Sequence, residues 1–325
     1  MGINWDAIAP CRVEHLTVSV CSLPDGYTLG LPVIVISGRR SRPRILVVAG
    51  VHGDEYEGMC AIYRLAGTLD PSQLEGTVAL VPVANPPAFA AGTRTSPADG
   101  LNLARIFPGD ATGTLSHRIA QVLVETLLRG ADLLIDLHSG GSRYRFARLA
   151  GFYSLDGRPD ERSHRVAAAM GFPYVWALPH NEGVLSYTAA RLGITAVGAE
   201  VSGTGGCLEE DVALYHAALE RVVRYVTARD APEPALDAPV WHGDWVLSPG
   251  NGLFEPLVAL EQDVQAGDAV ATIRDVFGRV QHTSRAPYGG RVLALRHLRS
   301  IGVGEWAVMI LTPRAQGSLP AASLS

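Results

Sequence analysis

The 325-residue chain contains no lysine, and all 27 of its basic residues are arginine. That absence excludes a Schiff-base enzyme, a P-loop NTPase with its phosphate-binding lysine, and a carrier domain with a lysine-linked cofactor. Cys11, Cys21, Cys60 and Cys207 are scattered, with no C-x-x-C pair, so neither a disulfide scaffold nor a cysteine-ligated structural zinc is expected. No apolar run approaches the roughly 18–20 residues needed to span a bilayer. The first residues, Met1–Asp6, also lack the charged-then-apolar pattern of a secretory leader. The net charge of −5 disfavours nucleic acid or an anionic membrane as partner. A cytoplasmic protein is the expectation.

What is present is enough apolar sequence for a large interior, 47% against 18% charged, in a chain long enough for two domains. Apolar runs at 44–50, 77–83, 131–137 and 195–201 read as buried strands. Amphipathic stretches at 58–69, 116–129, 160–170 and 209–228 read as helices. Their alternation predicts an α/β domain over 1–230, built on a mostly parallel or mixed sheet. A proline-rich linker follows at 231–239. From 240 to 313 short strands alternate with glycine turns and no helical pattern survives, which predicts a small all-β domain; a flexible tail is expected at 314–325.

In open α/β sheets ligands gather beyond the carboxyl ends of the strands. Three strand-like runs end there in ionisable residues: His52-Gly53-Asp54-Glu55, Asp136-Leu137-His138, and Glu200-Val201-Ser202-Gly203. His52 and Glu55, three apart, can face one point, and a nitrogen from His138 would complete a His₂Glu site with one position open, as in catalytic zinc centres. Glu200 ends a run otherwise free of charge, where a carboxylate is costly without a partner or a task; beside an activated water it could move protons. Blander readings stand beside these. His52 could cap a helix whose first turn holds Asp54 and Glu55, His138 could be a hydrogen-bonded core histidine, and Glu200 could pair with a buried arginine.

Five ordered segments, V-A-G-V-H-G-D-E-Y-E-G, N-P-P-A-F-A-A-G-T-R, N-L-A-R-I-F-P-G, D-L-H-S-G-G and A-E-V-S-G, resemble the succinylglutamate desuccinylase/aspartoacylase family. Within it the chain is most similar to the N-acetyl-diaminobutyrate deacetylases. The resemblance implies a zinc-carboxypeptidase-like mixed sheet with helices on both faces. It implies one zinc ion per chain held by His52, Glu55 and His138, with Glu200 as general base and acid. It also implies that Arg94 polarises the acyl carbonyl and that Arg105 holds a substrate carboxylate. Asn102 and Tyr187 join Arg105 as candidate substrate-binding residues, and 142–152 as a candidate mouth of the site. The family usually reads N-L-N-R where this chain has Asn102-Leu103-Ala104-Arg105, so one amide of the expected carboxylate clamp is missing. The all-β segment resembles the barrel-sandwich fold of biotinyl and lipoyl domains but lacks their lysine, which leaves a rim or a homo-oligomer contact as its role.

The expected activity is hydrolytic removal of an acyl group, acetyl foremost, from a small N-acylated amino acid. The rivals are a metallocarboxypeptidase acting on short peptides and a non-catalytic small-molecule-binding relative.

Overall fold

The computed structural model describes Trp5 and residues 7–155, 158–228 and 230–314. The leader reading at 1–6, apart from Trp5, and the tail reading beyond Arg314 concern residues outside that range. Two strands, β1 (Arg12–Ser22) and β2 (Thr28–Ser37), form an antiparallel hairpin whose turn is tied by the Tyr27 amide donating to Asp25 Oδ1. The next two, β3 (Arg44–Val48) and β4 (Thr77–Val81), are buried at every residue, as β-branched runs covered on both faces should be. Between them α1 (Glu57–Thr68) buries Met59, Ile62 and Leu65 at helical spacing. A short α2 (Pro86–Ala91) starts at Asn85, whose side chain accepts from the Ala88 amide.

The expected helix at 116–129 departs from its pattern halfway. It is α-helical only as α3 (Leu115–Val122), then widens by one residue per turn over Leu123–Leu127 and tightens over Leu128–Gly130. The Thr126 hydroxyl donates to the Val122 carbonyl, which gives that carbonyl a partner other than a helical amide. Then come β5 (Leu133–Ser139), β6 (Tyr144–Phe146), β7 (Leu149–Leu155), β8 (Arg158–Pro159) and α4 (Glu161–Ala169). They are followed by β9 (Tyr174–Leu178), α5 (Leu185–Arg191), β10 (Thr195–Val201) and α6 (Glu209–Thr227). Three acidic residues in the first turn of α6 complement its positive end.

Residues 231–239 carry neither helix nor strand. The rest is all β: β11 (Val240–Leu247), β12 (Gly252–Pro256), β13 (Asp263–Val264), β14 (Ala269–Arg274), β15 (Val280–Arg285), β16 (Gly290–Arg296), β17 (Ser300–Ile301) and β18 (Trp306–Arg314). The main sheet runs β1-β2-β4-β3-β5-β10-β7-β9-β11-β18-β16-β13, and a second small sheet runs β15-β14-β12-β17. The C-terminal strands therefore extend the sheet of the α/β part. Two pairings join them: β11 to β9 in parallel, Val240 with Val175 and Trp241 with Trp176, and β16 to β6 antiparallel, Ala294 with Phe146.

Helices cover both faces of the α/β sheet. One core gathers α1, α4 and α6, and the other gathers α3, α5 and the N-terminal hairpin. At the centre, β3, β5 and β10 are parallel neighbours, with Val48 beside Asp136 and His138 beside Glu200. Adjacent parallel strands end on one edge, so the loops and strand ends carrying His52, His138 and Glu200 converge without any long-range coincidence.

Candidate metal centre

After β3 the chain turns through Val51–Glu55, every residue of which is buried. Gly53 is required there by packing, because a Cβ would lie 2.0 Å from the Ala88 carbonyl carbon. The loops following β5 and β10 also touch: a Cβ on Gly203 would sit 2.4 Å from Gly140 Cα. Asp54 fixes the first of these loops by accepting from the Ser142 amide and hydroxyl at 2.9 and 2.7 Å. These contacts press the strand ends together.

The result is a tight cluster. Glu55 Oε1 lies 2.8 Å from His52 Nδ1 and Glu55 Oε2 lies 3.0 Å from His138 Nδ1. Ligand-capable atoms of the three residues all fall within 4.8 Å of one another. Despite its short contact with Glu55, the buried His52 Nδ1 makes no hydrogen bond of acceptable angle. Two imidazole nitrogens and a carboxylate oxygen aimed at one point, one of them unsatisfied, form a donor set that fits a zinc-like cation. The outward nitrogens are held as well. His52 Nε2 is 3.0 Å from Asn102 Oδ1, and His138 Nε2 is 3.2 Å from Asp136 Oδ1. Such outer partners fix the tautomer and ring plane of a metal-binding histidine. The Tyr215 hydroxyl donates to the His138 carbonyl at 2.5 Å and anchors the strand end from behind.

The electrostatics are those of charges kept from water. Burial, reinforced by Arg94, pulls His52 down to about 4. Burial alone would raise Glu55, but His52 and His138 outweigh it and hold the carboxyl well below the usual range. His138 goes the other way: burial is overcome by Asp136 and Glu55, and its pKa lies well above the ordinary histidine value. Glu200 is pushed up to about 8, chiefly by burial, against the pull of His138. Its Oε2 has no hydrogen-bond partner. A half-buried carboxyl with one unpartnered oxygen beside a metal-ligand cluster is placed to take and return a proton. No Glu200–arginine ion pair is present among the described residues.

His52, His138, Arg94, Arg105 and Glu200 line one cavity of about 100 Å³, with Ala104. Arg94 Nη1 donates to Glu55 Oε1 at 2.8 Å and its guanidinium lies 5.9 Å from the Tyr144 ring centroid. Arg105 donates to the Ala104 carbonyl and rests 5.2 Å from the Trp306 ring centroid. Asn102 turns its amide oxygen to His52 and to the Ala104 amide and is not on the lining of this cavity. Tyr187 lies outside this cavity, on a separate depression with Phe107 and Arg191, and its ring makes an edge contact with Tyr153 of the cavity lining. From the 142–152 segment Phe146 lines the cavity, whereas Arg143 and Arg148 point to Glu305 and Asp211.

Sequence reasoning missed the aromatic wall. Trp176 on β9 and Trp245 and Trp306 on the C-terminal strands line the cavity, the last two stacked at 4.8 Å and 8°. The signal available was the wealth of tryptophan after residue 240, but its destination depends on the β9–β11 pairing, which no local pattern announces.

Comparison with known proteins gives a consistent picture. The sequence pattern of the succinylglutamate desuccinylase/aspartoacylase catalytic domain matches residues 41–226. An N-alpha-acetyl-L-2,4-diaminobutyric acid deacetylase of Halomonas elongata is 33% identical over 292 residues, spanning 86% of this chain and 85% of that protein. The product-bound structure of the ectoine utilization protein EutE from Ruegeria pomeroyi superposes with a TM-score of 0.83 at 30% identity, covering 94% of this chain and 98% of its own. A succinylglutamate desuccinylase from a Silicibacter species gives a TM-score of 0.81 at 28% identity, with 95% and 98% coverage. Among the described residues no helix is long and apolar enough to cross a membrane.

Proposed function

Since the chain belongs to the succinylglutamate desuccinylase/aspartoacylase family, we propose that it is a zinc-dependent hydrolase that removes an acyl group, acetyl foremost, from the nitrogen of a small amino acid. The observation that carries this reading is the half-buried Glu200 carboxyl, whose buried Oε2 has no hydrogen-bond partner, lining the same cavity as His52 and His138, the histidines paired with Glu55. His52, Glu55 and His138 would hold the ion. When bound, zinc supplies a Lewis acid that polarises the amide carbonyl and makes water acidic enough to attack near neutral pH.

The remaining work belongs to the chain. Glu200 accepts the proton of the attacking water and delivers it to the departing nitrogen. The Arg94 guanidinium faces the oxygen on which negative charge develops, a contribution of a few kcal/mol for a donor of this kind, by about the measure of other oxyanion sites. Arg105 takes the substrate's carboxylate through its planar fork. Asp136 and Asn102 keep the two imidazoles turned inward.

A carboxypeptidase working on the same cluster needs room for a peptide beyond the scissile bond. The stacked Trp245–Trp306 pair lines the cavity and takes up room there, which favours small acylated amino acids. The test is Glu200→Gln, assayed for release of acid from N-acetyl amino acids. Zinc content near that of the wild type with turnover reduced by about a thousandfold or more is the expected result. Wild-type turnover in the variant, or turnover by wild-type protein that survives complete chelation, overturns the reading.

A further inference from the structure

Two polar side chains on the cavity lining have bonding capacity to spare. Arg105 donates to the Ala104 carbonyl and lies on Trp306, and among the described residues it makes no ion pair. Asn181 lines the same cavity, half-buried, and its carboxamide makes no hydrogen bond among the described residues. The other polar groups of the lining, outside the metal cluster and Glu200, are committed or out of reach. Arg94 donates to Glu55, and the Tyr153 hydroxyl faces Ser186. Trp176 Nε1 lacks a partner, but the atom itself is buried. Asn181 is the one carboxamide on the lining, and Ala104 beside Arg105 brings only a methyl group.

The chain fixes Asn181 relative to Arg105. Asn181 opens the turn into α5, where its carbonyl accepts from the Val184 amide at 3.3 Å. Further along that turn the Gly183 carbonyl accepts from the Phe107 amide at 3.1 Å, and a Cβ on Gly183 would fall 2.3 Å from the Arg105 carbonyl carbon. The 181–183 turn is therefore pressed against the 105–107 segment, and both side chains open on a cavity of only about 100 Å³. A guanidinium and an amide N–H so placed can divide the two oxygens of a carboxylate between them, the amide adding a donor without adding charge. The acyl end of a substrate belongs elsewhere, with Arg94, which is tied to Glu55 in the metal cluster.

We infer that Asn181 is a substrate-binding residue whose carboxamide donates to the carboxylate that Arg105 holds. This rests on the deacylase reading and adds a residue to the recognition of its substrate.

The test titrates zinc-loaded protein with L-alanine and with L-alaninamide while tryptophan fluorescence is followed; the two ligands differ only in the carboxylate. Wild-type protein is expected to bind alanine more tightly. Asn181→Ala should weaken alanine binding by about tenfold, the scale of a hydrogen bond to a charged group, and leave alaninamide within about twofold. Asn181→Asp keeps the shape of the side chain but should weaken alanine binding at least as much, because its carboxylate pairs with Arg105 and repels the ligand. Equal binding of the two ligands by wild type, wild-type alanine affinity in either variant, or an equal loss for both ligands overturns the inference; the last is the mark of a merely structural role. With N-acetyl-L-alanine as substrate, Asn181→Ala should raise KM by a similar factor with kcat less affected, and a loss confined to kcat overturns it. Should wild-type protein hydrolyse no N-acetyl amino acid, the deacylase reading fails, and the titration still decides the role of Asn181.

Discussion

Asp136→Asn isolates the part that charge plays in holding the metal cluster. Asp136 is fully buried midway along β5, with Oδ1 3.2 Å from His138 Nε2, and neither of its oxygens makes a hydrogen bond of acceptable geometry. Its role is therefore to face the imidazole. Opposite unit charges at that distance interact by about 5 kcal/mol at an effective dielectric near 20. A neutral, metal-binding imidazole feels only a fraction of this, through its ring orientation and the electron density at Nδ1. Outer partners of metal-binding histidines are typically worth about 10–100-fold in affinity, or roughly 1.4–2.8 kcal/mol. Asparagine keeps the volume and, with its oxygen towards His138, a neutral hydrogen bond, so the fold should persist. Zinc affinity measured by competition with a chromogenic chelator should fall by that factor, while the circular dichroism spectrum stays that of the wild type. An affinity within twofold of wild type would refute the assignment of Asp136 to the ion's support.

Other consequences can be checked separately. Arg105→Lys keeps a charge but loses the planar fork and its place on Trp306, so KM should rise by about tenfold or more with kcat less affected; a loss confined to kcat contradicts the carboxylate role. His164 is stacked on Phe152 at 4.6 Å, and burial, with Arg165, lowers its pKa below the ordinary 6.5. The unfolded chain then takes up this proton first, so stability falls as pH drops from 6.5 towards the folded-state pKa; His164→Gln should flatten that limb of the Tm–pH curve, and an unchanged slope would count against it. Tyr215→Phe removes the hydroxyl that donates to the His138 carbonyl inside the core, with an expected loss of about 1–2 kcal/mol by denaturant titration and no change in the circular dichroism spectrum.

The strands that build the site were legible because burial on both faces writes itself into sequence: RILVV of β3 and LLIDL of β5 admit little but apolar residues, so the ionisable groups at their ends stand out. The convergence of those ends follows from parallel adjacency, which the α/β alternation implies. Other features depend on partners distant in the chain. Tyr187 has no local mark telling which side of Tyr153 it occupies. Cys60 and Cys207 bring their sulfurs within 3.7 Å across 147 positions, and nothing in their spacing shows it. The widened turn at Leu123–Leu127 keeps an amphipathic pattern, so hydrophobic periodicity alone reads straight through it.

Ala104 ties these threads together. Where the family pattern carries an amide next to the arginine, this chain carries a methyl group on the lining of the cavity, 3% exposed. Loss of an amide from a carboxylate clamp would suggest a decayed site if Arg105 were left loose. It is not loose. Its guanidinium donates to the Ala104 carbonyl at 2.7 Å and lies on Trp306, and the Gly183 loop packs against its backbone so closely that a Cβ there would fall 2.3 Å from the Arg105 carbonyl carbon. The restraint that an amide would provide by sharing the carboxylate is supplied by a tryptophan of the C-terminal strands, which are in place because β11 continues the catalytic sheet. The same exchange replaces a polar group on the lining with carbon.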